Sequence, residues 1–319
     1  MSLIRKANEL SIQTRIKCLI YGQAGMGKTT LAISMPKPLL FDFDGGVTRV
    51  NYAHLENVDT VQIQSYNDFI EVLKEDLSAY ETLIIDTGGK ALDFMAEYII
   101  KNNSKMGKAN GTLTLQGYGE RKAIFQALCR QISMMDKHLV FVAHRETQKD
   151  GDDMRYVPLF GGSNYDSLVT ELDLVGYMEA NGKKRQITFD PSSRNDGKNT
   201  CNLPSQMEIP IIVNEQGQPT AKNDFMLERV VKPYISRLEE RKNKGDAYNS
   251  IIAELKENID LITDADSAND FVKRLPNFNH IGSSKAMAVE LLTKKRKELG
   301  LTQNKDTHLY ENAEYASHV

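Results

Sequence analysis

The stretch Gly22-Gln23-Ala24-Gly25-Met26-Gly27-Lys28-Thr29 decides the fold class. It fits G-x-x-x-x-G-K-[ST], a pattern whose glycines let successive backbone N–H groups turn inward around a phosphate. Its flanks agree with that reading. Ile16 to Tyr21 is a short apolar run ending at glycine and predicts a buried strand. Thr29 to Met35 predicts a helix, stopped by Pro36. The helix N-terminus adds the positive end of its dipole to the amide nest. Lys28 is then placed to reach the β and γ oxygens of a triphosphate, and the Thr29 hydroxyl to ligate Mg²⁺. The alternative is a glycine-rich turn that binds nothing; a strand before it and a helix after it weigh against that.

Working outward, Leu39 to Phe43, Thr60 to Ile63, Thr82 to Ile85 and Leu139 to Ala143 predict strands. Tyr66 to Leu77, Ala91 to Lys101 and Glu120 to Met135 predict helices between them. Strands that are apolar throughout belong to a parallel sheet covered on both faces. The expected fold is therefore α/β, a P-loop core with a mostly parallel central sheet flanked by helices. From about residue 170 the pattern shifts to antiparallel strands over Leu172 to Met178, Lys184 to Phe189 and Ile211 to Val213. Asn181-Gly182 and Asp196-Gly197 mark turns there. After Pro233 the chain turns charged and helical, over Tyr248 to Ile259, Ala268 to Leu275 and Ser284 to Leu299. The expected organisation is a core over 1–235, a helical appendage over 236–300 and a polar, mobile tail over 301–319.

Composition narrows the class. The 319 residues carry 40 Lys and Arg against 43 Asp and Glu, a net charge of -3, which excludes binding nucleic acid by bulk charge alone. The three cysteines, Cys18, Cys129 and Cys201, have no metal-ligand spacing and predict neither a disulfide framework nor a zinc site. No apolar run is long enough for a membrane span, and Met1 to Thr14 shows no signal-peptide core, so a cytoplasmic protein with no membrane partner is expected.

A P-loop works with a second acidic group near its magnesium. Leu83-Ile84-Ile85-Asp86 is an apolar strand ending in aspartate, and Asp86 is the expected partner of Thr29 at the metal. An aspartate at a strand end is otherwise a common turn former. Hydrolysis also needs a group that orients water. Phe41-Asp42-Phe43-Asp44-Gly45-Gly46 puts Asp42 and Asp44 on one face near the carboxyl edge, where ligands sit in open parallel sheets. Asp44, nearer the tip, is the expected catalytic base, against a plain Asp-Gly turn. His144, ending the strand from Leu139, is expected near the γ-phosphate as a reporter of nucleotide state, against a structural histidine. The expected catalytic set is Lys28, Asp44, Asp86 and His144, with Thr29 and Asp86 at the metal.

Taken together, these residues resemble the RecA-like P-loop ATPases, and more closely the phage-encoded RecA-core ATPases of the Sak-type single-strand annealing group. The resemblance rests on Gly22 to Thr30, Phe41 to Gly46, Leu83 to Asp86, Val140 to His144, and Leu172 to Tyr177 beyond the Gly161-Gly162 pair; it spans roughly residues 14–234. It adds Thr30 to the nucleotide-binding segment. It implies that Asp44 activates water, although glutamate is more usual in RecA itself, and Ala143-His144 stands where RecA has Asn-Gln. The resemblance implies an ATPase using ATP and Mg²⁺, active in phage DNA recombination or replication in the bacterial host cytoplasm. It further implies a homo-oligomeric ring or filament with ATP near subunit interfaces, stimulated by single-stranded DNA and assisting annealing or strand exchange.

RecA-like proteins hold single-stranded DNA on two later loops. The matching segments are Lys101 to Gly119, with Lys101, Lys105, Lys108 and Tyr118, and Arg145 to Gly162, with Arg145, Lys149, Arg155 and Tyr156. Cations neutralise the backbone and aromatics stack on bases. The alternative is a pair of solvated loops, the second diluted by Asp150, Asp152 and Asp153. The resemblance also implies a cation reaching a neighbour's γ-phosphate; Lys183, Lys184, Arg185, Arg194 and Lys198 are candidates, against a basic hairpin tip. Relatives carry Lys-x-Arg where this chain has Lys198 followed by Thr200. Lys294-Lys295-Arg296-Lys297 is a DNA contact or a solvated helix face. The appendage is equally an oligomer contact or a docking site for a single-strand-binding protein. Two other functions stay open: a helicase loader or replication ATPase acting on a protein partner, and a small-molecule phosphotransferase, for which no arginine-rich lid is visible.

Overall fold

The computed structural model describes residues 13–150, 153–161, 163–182 and 184–312. Its contacts divide the chain into two units, 13–235 and a unit from Ser236 onward. In the first, β1 (Lys17–Gly22) leads through the glycine loop into α1 (Lys28–Ala32), β2 (Pro38–Asp42), β3 (Asp59–Gln62), α2 (Tyr66–Val72) and β4 (Thr82–Asp86). There follow α3 (Gly88–Asn102), α4 (Leu115–Met134), β5 (His138–Asp150), β6 (Asp153–Pro158), α5 (Ser163–Glu171) and β7 (Leu174–Asn181). The unit closes with β8 (Lys184–Thr188), β9 (Lys198–Asn199) and β10 (Gln206–Ile209).

The sheet order is β10-β8-β7-β1-β5-β4-β2-β3, parallel from β7 through β3 and antiparallel at the β7–β8–β10 end. β5 is interposed between β1, which leads into the phosphate loop, and β4, which ends in Asp86. Side chains alternate between two apolar layers. Leu19, Tyr21, Phe41, Leu83, Ile85 and Phe141 pack on one face with residues of α2, α3 and α4. Cys18, Ile20, Leu40, Ile84, Val140 and Val142 pack on the other with α1 and the segment around Met226. β2 and β4 are buried along their whole length, which accounts for their unbroken apolar sequence. Register brings His144 beside Gly22, and Asp42 beside Asp86, so the carboxyl edge collects the chemistry-bearing residues.

Several expectations need correction. Ile211 to Val213 forms no strand: β10 ends at Ile209, because Pro210 has no N–H to continue the ladder. The expected loop over 101–119 is shorter, since the Thr114 hydroxyl accepts from the Gly117 N–H and starts α4 at Leu115; Tyr118 is helical. The expected loop over 145–162 is largely a hairpin, with β5 running on to Asp150 and pairing β6 from Arg145–Pro158 to Asp150–Asp153. The helix expected from Tyr248 begins at Lys232.

The second unit is built on α6 (Lys232–Asp260), α7 (Ala265–Arg274) and α8 (Ser284–Glu298), with β11 (Leu301–Gln303) and β12 (Tyr310–Asn312) pairing as a hairpin. Ile251, Leu255, Phe271 and Leu292 form its core. Residues 301–312 are thus not a mobile tail. Leu301 is buried in that core, and Asn269 holds Tyr310 through both its backbone N–H (2.8 Å) and its carbonyl (3.0 Å). Residues 313–319 lie outside the described residues. Among the described residues no helix is long and apolar enough to cross a membrane.

Candidate active site

The phosphate loop leaves β1 at Gly22, where a Cβ would sit 2.5 Å from the Met178 carbonyl oxygen; glycine lets β7 pack flush beside the loop. Gly25 (φ +76°) and Gly27 (φ +84°) adopt left-handed backbone that L side chains rarely enter, and Gly27 caps α1. Lys28 is buried, and its ammonium donates to the Gln23 carbonyl at 2.9 Å, across the loop. Burial lowers its pKa, while Asp86 and then Asp44 hold the proton on.

The Thr29 hydroxyl donates to Asp86 Oδ2 at 2.5 Å. The strand-end aspartate and the loop threonine therefore meet as their motifs require. Burial pushes the Asp86 carboxyl up to about 6; the Thr29 bond opposes the rise, Asp44 and Asp42 add to it, and Lys28 offsets part. The Asp86–Thr87 peptide is cis.

Asp42 and Asp44 divide their tasks. Asp42 is buried and accepts from the N–H groups of Gly46 (3.0 Å), Val47 (3.2 Å) and Asp44 (3.3 Å), so it shapes the turn. Asp44 is half-buried, and its Oδ1 accepts from the Gly46 N–H at 2.9 Å, while no hydrogen bond among the described residues takes Oδ2. His144 is half-buried beside Gly22. Burial lowers its pKa, Lys28 lowers it further and Asp44 opposes, so the ring is neutral at pH 7. Lys28, Thr29, Asp86, Asp44 and His144 thus share one corner of the carboxyl edge. Gln23, Ala24 and Met26 complete the loop, and Thr30 follows on α1, where its carbonyl accepts from Asn223 Nδ2 at 2.6 Å.

A cavity of about 660 Å³ opens beside the loop. Its lining includes Met26, Gly27, Thr30 and Arg185 together with the segment from Ile209 to Gln216, whose first residue is the ladder partner of Arg185. Asn51, also in the lining, ties down the end of that segment, its Nδ2 donating to the Gly217 carbonyl at 2.6 Å. Nothing local marks these residues; Asn51 and Gly217 are 166 positions apart.

The candidate cations separate clearly. Lys184 pairs with Glu208 at 3.4 Å. Lys198 donates to the Val169 carbonyl at 2.7 Å and lies 3.4 Å from that of Thr170, in the last turn of α5. The Arg194 guanidinium lies 5.4 Å from the Tyr156 ring centre. Arg185 reaches the loop itself, with Nη1 2.9 Å from where a Cβ on Gly27 would sit. Lys183 lies outside the described residues.

Beyond His144 the hairpin carries an aromatic stack. Tyr156 and Tyr177 stack at 5.6 Å, and Arg145 lies 4.2 Å over Tyr156. Arg145 also donates to the Tyr177 hydroxyl (3.0 Å) and to Gln23 Oε1 in the phosphate loop (3.5 Å). Arg155 donates to Asp196. Of the expected DNA-contacting groups here, Lys149 is exposed, while Tyr156 and Arg145 are already engaged with one another.

The fold, the phosphate loop and the Thr29–Asp86 contact define the class: a P-loop ATPase. The chain belongs to the AAA domain family, whose model matches residues 14–201. Solved structures similar to it include a KaiC-like protein from the hyperthermophilic archaeon Pyrococcus horikoshii OT3, at 14% identity over 54% of this chain and 77% of that one, with a TM-score of 0.34. A second solved structure, an isolated ATPase domain, matches at 12% identity over 62% of this chain and 81% of that one, TM-score 0.38. A DnaB-like replicative helicase, described with its interactions with primase, matches at 11% identity over 65% and 57%, TM-score 0.41. No curated protein matches the chain.

Proposed function

We propose that this chain is a Mg²⁺-dependent ATPase of phage DNA recombination or replication, of the Sak-type RecA-like group, that couples hydrolysis to its hold on single-stranded DNA. The Thr29–Asp86 contact beside buried Lys28 carries the nucleotide half of this reading. The donor set fits magnesium, which binds through one or two carboxylates plus substrate phosphates rather than an all-protein cage. Among the described residues no cluster of three or more His, Cys, Asp or Glu forms such a cage. When bound, the ion neutralises charge developing on the phosphate oxygens.

The residues act as follows. The amides from Gly25 to Thr29 and the α1 N-terminus bind phosphate. Lys28, already desolvated, exchanges the Gln23 carbonyl for phosphate oxygens. Thr29 and Asp86 hold the metal. Asp44 orients water and accepts its proton at Oδ2, the oxygen its own turn leaves unused. His144, neutral and able to donate and accept one hydrogen bond each, passes the state of the site along β5. The nucleoside occupies the cavity between Met26 and the 209–216 segment.

The DNA half rests on β5, which runs from His144 straight into the hairpin bearing Lys149 and Arg145. A homo-oligomer with ATP near its interfaces, and a single-strand-binding protein as partner, belong to the same reading. ATP turnover with and without single-stranded DNA tests it. Stimulation several-fold by DNA is expected; turnover indifferent to every DNA overturns the coupling, and no uptake of ATP overturns the whole.

A further inference from the structure

Arg185 occupies a place that no phosphate-loop motif specifies. β7 runs parallel to β1 and sets Met178 beside Gly22. β8 returns antiparallel and sets Arg185 opposite Ala180, two residues further toward the carboxyl edge. Its guanidinium comes down on Gly27, the residue before Lys28, with Nη1 2.9 Å from the Cβ that glycine lacks. Any side chain at 27 would displace it. Among the described residues no ion pair or hydrogen bond holds this guanidinium, whereas Lys184, Lys198 and Arg194 are each engaged elsewhere. It also lines the cavity together with Gly27 and Thr30.

We propose that Arg185 is a ligand of the nucleotide held by its own chain, gripping the α- and β-phosphates beside Gly27 rather than reaching a neighbour's γ-phosphate. A weakly hydrated planar guanidinium suits bidentate phosphate binding. The contact lies one residue before Lys28, the buried side chain of the loop. The proposal rests on the reading of this loop as an ATP site.

The distinction is measurable without turnover. Loss of a cation that reaches the γ-phosphate from a neighbour lowers hydrolysis and leaves ADP affinity alone. A guanidinium beside Gly27 is felt equally by ADP and ATP. ADP and ATP are titrated calorimetrically into the full chain as wild type, R185A and R185K, at two protein concentrations tenfold apart. Thermal melts confirm that the variants fold, as expected for an exposed position. The expected result is that R185A weakens both nucleotides by a similar factor of about 10, unchanged by protein concentration, with R185K in between. ADP affinity equal to wild type in R185A overturns the proposal, as does a loss that appears only at the higher concentration. Wild-type protein that takes up neither nucleotide overturns the ATP reading itself, a failure visible before any variant is compared.

Discussion

The phosphate loop and the β5–β6 hairpin leave the same edge of one sheet, yet they are held by different means. The loop is fixed by polar contacts of two buried side chains, Lys28 on a carbonyl and Asp86 taking the Thr29 hydroxyl, with two glycines in left-handed backbone. The hairpin is held by its own ladder, by backbone bonds between Tyr156 and residues 194 and 196, and by a stack of half-buried Tyr156 on buried Tyr177 with Arg145 laid across it. Breaking a contact of a buried charged group is costly, whereas a half-buried cation stacked on an aromatic ring contributes modestly.

The largest expected effect joins the two. Phe160, just after β6, is fully buried against Phe125 and Phe141, and its ring fills the space where Gly88 lacks a side chain at the start of α3. Phe160→Ala is expected to cost about 3–5 kcal/mol, read by denaturant unfolding. A loss under about 1 kcal/mol would show that the hairpin's base is not anchored in this core. Lys28→Ala comes next, with ATP affinity expected to drop about 100-fold by calorimetry while the melt stays near wild type. Retained affinity would break the contrast at its stronger end.

Asp86→Asn should lower Mg²⁺-dependent turnover about 30-fold and leave metal-free nucleotide binding within a few-fold. The wild-type carboxyl also titrates at about 6. Because the folded chain holds this proton more tightly than the unfolded chain, the protonated form stabilises the fold below the ordinary aspartate pKa, and that contribution is lost as pH rises through about 6. Magnesium affinity runs the other way, rising over the same interval as the proton leaves. Asp86→Asn should flatten both curves; pH-resolved melts and Mg²⁺ titrations check the pair. Arg145→Ala has the smallest expected effect, roughly a two- to fivefold weaker hold on single-stranded DNA by fluorescence anisotropy, with ATP affinity unchanged. Unchanged DNA binding would leave the stack a purely structural feature.

Much of the loop's side of this contrast is legible in the sequence because its chemistry is local. Gly25, Gly27, Lys28 and Thr29 fall within one short motif, and the strand ending in Asp86 announces its own burial. The hairpin reads as a loop because Asp and Gly dominate its turn, and the ladder from Arg145 to Asp150 exists only through pairing with β6. Leu301 to Asn312 looks like a tail because its ordering comes from Asn269, 41 residues before Tyr310. Arg185 stands among several candidate cations in the sequence; only the fold shows that it lies over Gly27, on a strand far along the chain.

β5 is one uninterrupted strand of 13 residues, on the order of 43 Å of extended chain. Its first half is clamped between β1 and β4, and its second half projects with β6 as its ladder partner among the described strands. Tyr156, opposite Thr147, is hydrogen-bonded through its backbone to Arg194 and Asp196, and Arg155, opposite Gln148, is paired with Asp196, so the ladder is supported well past His144. An optical label near Lys149, beyond these supports, would therefore report on the outer end of the hairpin rather than on the root of the strand.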